Sequence, residues 1–382
     1  MPHLLLLLCL FQLVHSVLLP GPSGPCQVQT KSSKLVDTAR ADPFSRQHDA
    51  RAIMVSSFAP VHCGEVRHTP YVPPRIAHAA GQKLGLPNGT LNVFELASYA
   101  PSAPSPSSSH RNNITDESPV ILFSPGLGSS RLIYANLLEQ VASHGFVVVS
   151  LDHPHDAGAV EFPNGQIVPM ASNVSSNIPL ALETRVADVT FALDRLHNDT
   201  RVILPSAFHA HNRSLPLDRV AVIGHSLGGA TAAQAMLDDE RFVGGINFDG
   251  EMFGSVVKQG LDRPFVNFGE AQLQAQEKRT WKEFWSHLRG FKLELQLHDS
   301  KHLAFSDLPL VFDSTANATA LRNATADHLG PLPGLGRLPG LRVKAILSEY
   351  ITVACRFFVQ GRKSALLDGP SRKYPEVMYI SR

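Results

Sequence analysis

Four cysteines in 382 residues are too few for a disulfide-built scaffold. Charge of one sign is just as scarce. The 34 Lys and Arg against 33 Asp and Glu leave a net +1, without the basic excess that nucleic-acid binders carry, so no nucleic-acid partner is expected. Apolar runs long enough to cross a bilayer, about 20 residues, are missing, so no transmembrane span is expected. The chain closes on Tyr379-Ile380-Ser381-Arg382, with neither a hydrophobic tail for a lipid anchor nor a retention tetrapeptide. What is present is an ordinary globular mixture, 43% hydrophobic, 7% aromatic and 18% charged, sized for one large domain or two small ones. The 28 prolines imply long irregular segments between regular elements. Nothing in the sequence sets an oligomeric state.

The first residues indicate the compartment. Residues 4–14 are apolar except for Gln12, and His15 and Ser16 follow. Val14 and Ser16 suit a signal peptidase, so residues 1–16 read as a leader cleaved after about Ser16, although its start carries only His3. Sequons at Asn88, Asn113, Asn173, Asn198, Asn212, Asn317 and Asn323 are seven candidate glycosylation sites, which fits export. Cys9 lies in the leader, leaving Cys26, Cys63 and Cys355, arithmetic for one disulfide and one odd thiol with the pairing open. A secreted protein is expected.

Residues 17–50 read as a loosely structured N-terminal segment and 51–365 as one domain, with a C-terminal tail at 366–382. Short strands are expected at 53–58 and 91–96, followed by a Pro/Ser-rich solvated loop at 100–116. From Pro119 onward buried strands alternate with amphipathic helices, the grammar of an α/β fold. The apolar runs at 120–123, 146–152, 220–223, 243–248, 265–268 and 293–297 are continuous rather than alternating, as in a mostly parallel central sheet with helices on both faces. In the helix expected at 179–196, Leu182, Val186, Val189, Leu193 and Leu196 form one stripe and Asn177 can cap the start. A last helix is expected at 343–359.

The chemistry centres on Gly224-His225-Ser226-Leu227-Gly228, a G-x-S-x-G motif between an expected strand and an expected helix. Such an elbow forces the serine into a tight turn where flanking glycines avoid Cβ clashes. It also places Ser226 at a helix N-terminus, where amides and dipole favour developing negative charge. A serine hydroxyl needs a histidine base oriented by a carboxylate, and in this strand–helix context both follow it in the chain. His302, in the loop after the 293–297 strand, is the preferred base; His298 at that strand's end is the rival, and His328 a weaker one. Asp249 and Glu270 each end a strand after the nucleophile, and spacing does not separate them. The turn Ser124-Pro125-Gly126-Leu127-Gly128 follows the 120–123 strand, so the amides of Leu127 and Leu227 are candidate oxyanion donors. His153-Pro154-His155-Asp156 invites a metal reading, but no His-Glu-x-x-His helix or cysteine cluster completes it, and no metal or cofactor is expected. At 278–289, Trp281, Phe284, Trp285 and Leu288 share one helix face; packing on the sheet is favoured over contact with a lipid surface.

These residues carry a resemblance. The stretches at 123–128, Ala142-Ser143-His144-Gly145-Phe146 and 224–231 are similar to the secreted platelet-activating factor acetylhydrolases, over roughly residues 56–359. The resemblance implies an α/β-hydrolase fold and a calcium-independent, phospholipase A2-like esterase acting on the sn-2 acetyl or short acyl ester of phospholipids. In that family the acid stands on the strand after the nucleophile, which selects Asp249. The base sits in a His-x-x-Phe-x-Asp pattern, which His302, Phe305 and Asp307 reproduce, and the oxyanion donors map to Leu127 and Leu227. Pro125 departs from the histidine of animal members, and residues 81–115 do not follow the family. Other readings are a secreted hydrolase of different esters, lipase-, cutinase- or polyesterase-like, or an inactive hydrolase fold used for binding, which a broken triad would betray.

Overall fold

The computed structural model describes residues 16–61, 65–86, 89–100, 117–209, 214–273, 275–315, 328–329 and 332–382. Nine strands form the central sheet: β1 (Gln27–Ala41), β2 (Ala50–Val61), β3 (Val120–Ser124), β4 (Val147–Asp152), β5 (Val220–His225), β6 (Phe242–Phe248), β7 (Phe265–Glu270), β8 (Lys292–Leu297) and β9 (Val377–Ser381). Their order is β1-β2-β4-β3-β5-β6-β7-β8-β9. Neighbours from β4 to β8 run parallel, while β1, β2 and β9 pair antiparallel. β3 and β4 are buried along their whole length, because helices cover both faces.

The principal helices are α1 (Pro74–Lys83), α2 (Ala135–Ala142), α3 (Ile178–Asn198), α4 (Leu227–Asp238), α5 (Ala275–His287), α6 (Leu308–Asp313) and α7 (Gly340–Gln360). One apolar cluster joins one sheet face to α1, α2 and α7, and a second joins the other face to α3, α4 and α5. Asn177 caps α3, accepting the Leu180 N–H at 3.3 Å. Trp281, Phe284 and Leu288 are buried, so the aromatic stripe of α5 belongs to the core. No helix among the described residues is long and apolar enough to cross a membrane.

Three expectations need correction. Residues 17–50 are not loosely structured: β1 occupies fifteen of them, paired with β2 in a register that joins Gln27 to Val61 and Asp37 to Arg51. Its polar sequence conceals it, because an edge strand with one solvated face alternates instead of running apolar. Residues 366–382 are not merely a tail either, since β9 completes the sheet beside β8. The segment expected as a strand at 91–96 is split between a 3₁₀ turn, Thr90–Val93, and a strand, Phe94–Ala100, of a small separate sheet.

Asn173 and Asn198 are exposed. Asn88, Asn113, Asn212, Asn317 and Asn323, Cys63, residues 1–15 and most of the Pro/Ser-rich loop lie outside the described residues. Cys355 is a free thiol buried in α7, and burial pushes it well above the usual thiol range, which leaves it unreactive.

Candidate active site

β5 runs directly into α4, and Ser226 makes the turn with φ +56° and ψ −128°, a conformation that ordinary side chains rarely adopt. A Cβ on Gly224 would overlap the Gly228 carbonyl, and a Cβ on Gly228 would overlap the Ser124 carbonyl. Both positions therefore need glycine for the β3 loop to lie against the elbow. The Ser226 N–H donates to the Phe248 carbonyl at 2.8 Å, and the Gly229 N–H closes the turn onto the Ser226 carbonyl at 2.8 Å. Ser226 is half-buried, whereas its neighbours in the elbow are buried.

Asp249 follows β6, also with positive φ (+52°). One carboxylate oxygen, Oδ2, lies 2.7 Å from His302 Nδ1, and the other accepts the Glu270 N–H at 2.7 Å. A carboxylate only accepts, so Nδ1 carries the proton and Nε2 is the basic nitrogen. Of the two rival acids, Asp249 meets the imidazole, and Glu270 contributes its backbone amide to Asp249. His298 is 59% exposed and lies 3.1 Å from Asp299 at the surface. His328 belongs to a two-residue ladder with residues 332–333, and its side chain lies outside the described residues.

The loop that carries His302 is fastened by residues that no sequence motif marks. His225 Nε2–H donates to the His302 carbonyl at 2.9 Å, with the two rings 4.6 Å apart. Nδ1 of His225 then accepts the Tyr134 hydroxyl proton at 2.9 Å, and the Tyr134 oxygen accepts the Gly126 N–H at 3.3 Å. Burial holds His225 neutral, well below the ordinary histidine range, and pushes Tyr134 up to about 12. At the other end of the loop, Asp307 accepts the Asn136 and Leu137 amides at the start of α2 (2.8 and 2.9 Å) and the Tyr71 hydroxyl (3.2 Å). Burial raises Asp307 to about 7. The aspartate of the His-x-x-Phe-x-Asp pattern is thus an anchor to α2.

Leu127 lies in the loop after β3, and Leu227 opens α4. Of the amides at 126–129, Gly126 donates to Tyr134, Gly128 to the Asp156 carbonyl at 3.1 Å, and Ser129 to the Gly126 carbonyl at 3.0 Å. Pro125 has no N–H, and among the described residues the Leu127 amide is the one of these without a hydrogen-bond partner. Gly126 packs on Ser226, since a Cβ there would stand 3.2 Å from the serine Cβ.

His153 lies behind this loop. Its Nδ1–H donates to Asp188 at 2.9 Å, and Nε2 accepts the Ser124 hydroxyl at 3.0 Å. Arg51 meets the same carboxylate oxygen at 2.6 Å and Arg40 the other at 3.0 Å; against its burial, Arg51 and His153 hold Asp188 far below the usual carboxylate range, while burial keeps His153 neutral. No group of three metal-ligating side chains occurs among the described residues. A cavity of about 60 Å³ opens beside Gly128 and Ser129 of the loop after β3, lined by Ile76, Leu84, Ile133, Leu303 and Leu308, with the Lys83 ammonium on the Gly128 carbonyl at 2.8 Å.

The platelet-activating factor acetylhydrolase, isoform II, family model matches residues 46–164 and 182–321. A probable 1-alkyl-2-acetylglycerophosphocholine esterase of the fungus Arthroderma benhamiae is 31% identical over 96% of this chain and 94% of its own length. The platelet-activating factor acetylhydrolase of Bos taurus is 30% identical over 39% of each chain. Among solved structures, a ferulic acid esterase from Streptomyces cinnamoneus superposes with a TM-score of 0.79 at 28% identity, covering 96% of this chain and all of that one. By sequence and by fold, then, the chain is an α/β-hydrolase and a carboxylic ester hydrolase, and it belongs to the platelet-activating factor acetylhydrolase, isoform II, family.

Proposed function

We propose that this protein is a secreted serine esterase that removes the acetyl or short acyl group from the sn-2 position of platelet-activating-factor-like phospholipids. The observation that carries the reading is the 2.7 Å contact of Asp249 with His302 Nδ1, which turns Nε2 into the base for the serine at the elbow. Ser226 attacks the ester carbonyl as His302 takes its proton, and Asp249 stabilises the imidazolium. The oxyanion rests on the Leu127 and Leu227 amides. His302 then protonates the leaving lysophospholipid and activates the water that releases the acid. No step calls on a metal.

Export through a leader ending near Ser16, with glycans on the sequons, completes the proposal; exposed Asn173 and Asn198 are accessible acceptors. The names of the fungal and bovine relatives support the substrate class. A second reading, hydrolysis of other esters, is favoured by the ferulic acid esterase likeness. The family match over residues 46–164 and 182–321 favours the first.

Hydrolysis of phospholipids with sn-2 chains from acetyl to long, beside a feruloyl ester and with and without chelator, tests both. The acetyl substrate should turn over fastest, and chelator should leave the rate unchanged. Ser226→Ala should lose roughly 10⁶-fold in kcat, by comparison with serine proteases. Faster feruloyl hydrolysis would install the second reading, and persistent turnover by Ser226→Ala would remove the nucleophile and the mechanism with it.

A further inference from the structure

We infer that Arg185 and Asp156 act together as the positioning pair of the oxyanion loop, gripping it on both sides of Leu127. The inference rests on the oxyanion role proposed above. Arg185 projects from α3, 1% exposed at its side chain, and Asp156 from the loop after β4, 3% exposed. Arg185 Nε donates to Asp156 Oδ2 at 2.7 Å, and Nη2 to Oδ1. Its remaining nitrogen, Nη1, donates to the Pro125 carbonyl at 2.6 Å and lies 3.4 Å from the Ser124 hydroxyl oxygen. The Asp156 backbone carbonyl accepts the Gly128 N–H at 3.1 Å. The pair therefore binds the loop two residues before Leu127 and one residue after it.

The chemistry of burial explains why such a pair stands here. Two ions withdrawn from water recover little net stability, and apolar side chains of similar volume fill the same space at no greater cost. An apolar pair, however, cannot hold a carbonyl in a fixed direction. The guanidinium fork does, because Asp156 fixes its plane and the third nitrogen is left pointing at Pro125. Holding Pro125 and Gly128 sets the peptide plane between them, so that the Leu127 N–H is aimed before substrate arrives. Preorganisation of that kind stabilises the tetrahedral intermediate without improving ground-state binding.

Arg185→Lys tests this, because one ammonium can meet Asp156 but cannot span Asp156 and the Pro125 carbonyl in the fork geometry. The expected result is a loss of about 10²-fold in kcat, comparable to removing one oxyanion donor. KM and the affinity for a non-hydrolysable sn-2 ether analogue should stay within about threefold, while affinity for a trifluoromethyl ketone analogue should fall in step with kcat. Unchanged kcat, or equal losses for the two analogues, would overturn the inference in favour of a purely structural ion pair. If Arg185→Lys does not fold, Asp156→Asn keeps the backbone carbonyl on Gly128 and should show the same split with a loss of about tenfold; no loss in kcat would again overturn it. Ser226→Ala, run alongside, separates the failures. Turnover by that variant sinks the serine mechanism and the oxyanion role with it, whereas an inactive Ser226→Ala beside a fully active Arg185→Lys sinks only the positioning role.

Discussion

Asp249 and Glu270 end adjacent strands, and a single hydrogen bond assigns them different work. The Asp249 carboxylate divides itself between His302 Nδ1 and the Glu270 amide, so Glu270 meets the Asp249–His302 pair through its main chain. Asp249→Asn should therefore lower kcat by about 10⁴-fold, as loss of the orienting carboxylate does elsewhere. Glu270→Gln, which preserves the amide, should stay within roughly tenfold. A larger loss in Glu270→Gln would reverse the assignment. The residue beside the nucleophile also leaves a signature in stability. Burial depresses the folded pKa of His225 below the unfolded value of about 6.5, so its contribution is complete above that pH and is lost as pH falls towards the folded pKa. His225→Gln can still donate to the His302 carbonyl and accept from Tyr134, yet it has no ring to titrate. In urea melts the wild-type advantage over His225→Gln should shrink between pH 7 and pH 5, by up to about 1.4 kcal/mol per pH unit. A pH-independent difference would mean that folding leaves the pKa of this ring unchanged.

At the scale of elements, what could be read depended on burial and on sequence distance. The apolar runs from 120 to 297 became β3 to β8 with ends shifted by a residue or two, because strands covered on both faces need continuous apolar sequence. β1 and β9 escaped notice for a different reason: both are antiparallel edges, β1 broken up by Thr30, Ser32, Lys34 and Asp37, and β9 a run of only five residues that leaves Ile380 exposed. The site divided the same way. Ser226 stood out by its motif, and the family resemblance singled out Asp249 and His302, which the structure brings within 2.7 Å of each other. The groups that hold them meet across the chain, Tyr134 to His225 over 91 positions, Arg51 to Asp188 over 137 and Tyr71 to Asp307 over 236, and no spacing rule announces such partners. The α5 stripe shows the limit of periodicity from another side. It marks an apolar face, but only the fold reveals that Trp281 also donates its indole N–H to the Gly250 carbonyl at 2.6 Å, tying the helix to the residue after the acid.

The whole molecule is closed by its first described residues. Val17 and Leu18 pair with Phe94 and Glu95, and Leu19 is fully buried. The Pro20 carbonyl accepts from Asn136 of α2 at 3.0 Å and from the Lys344 ammonium of α7 at 2.9 Å. Ser23 and Gly24 then dock on Gln140 and Ser143 at 2.9 and 3.1 Å. A leader removed near Ser16 would leave this strap whole, with its new end beside the small sheet. Lys344 is the residue that makes the strap matter, since burial already lowers it to about 8 and the Pro20 carbonyl is among the few groups that solvate it. Deleting residues 17–24 should remove the burial of Leu19 and strand that ammonium, costing about 3 kcal/mol or more in a urea melt. Adding Lys344→Met to the deletion should recover part of the loss, because the methionine fills the space without a charge to solvate, whereas Lys344→Met in the full chain should destabilise. An unchanged urea midpoint in the deletion, or additive effects of the two changes, would show that the segment lies on the domain without supporting it.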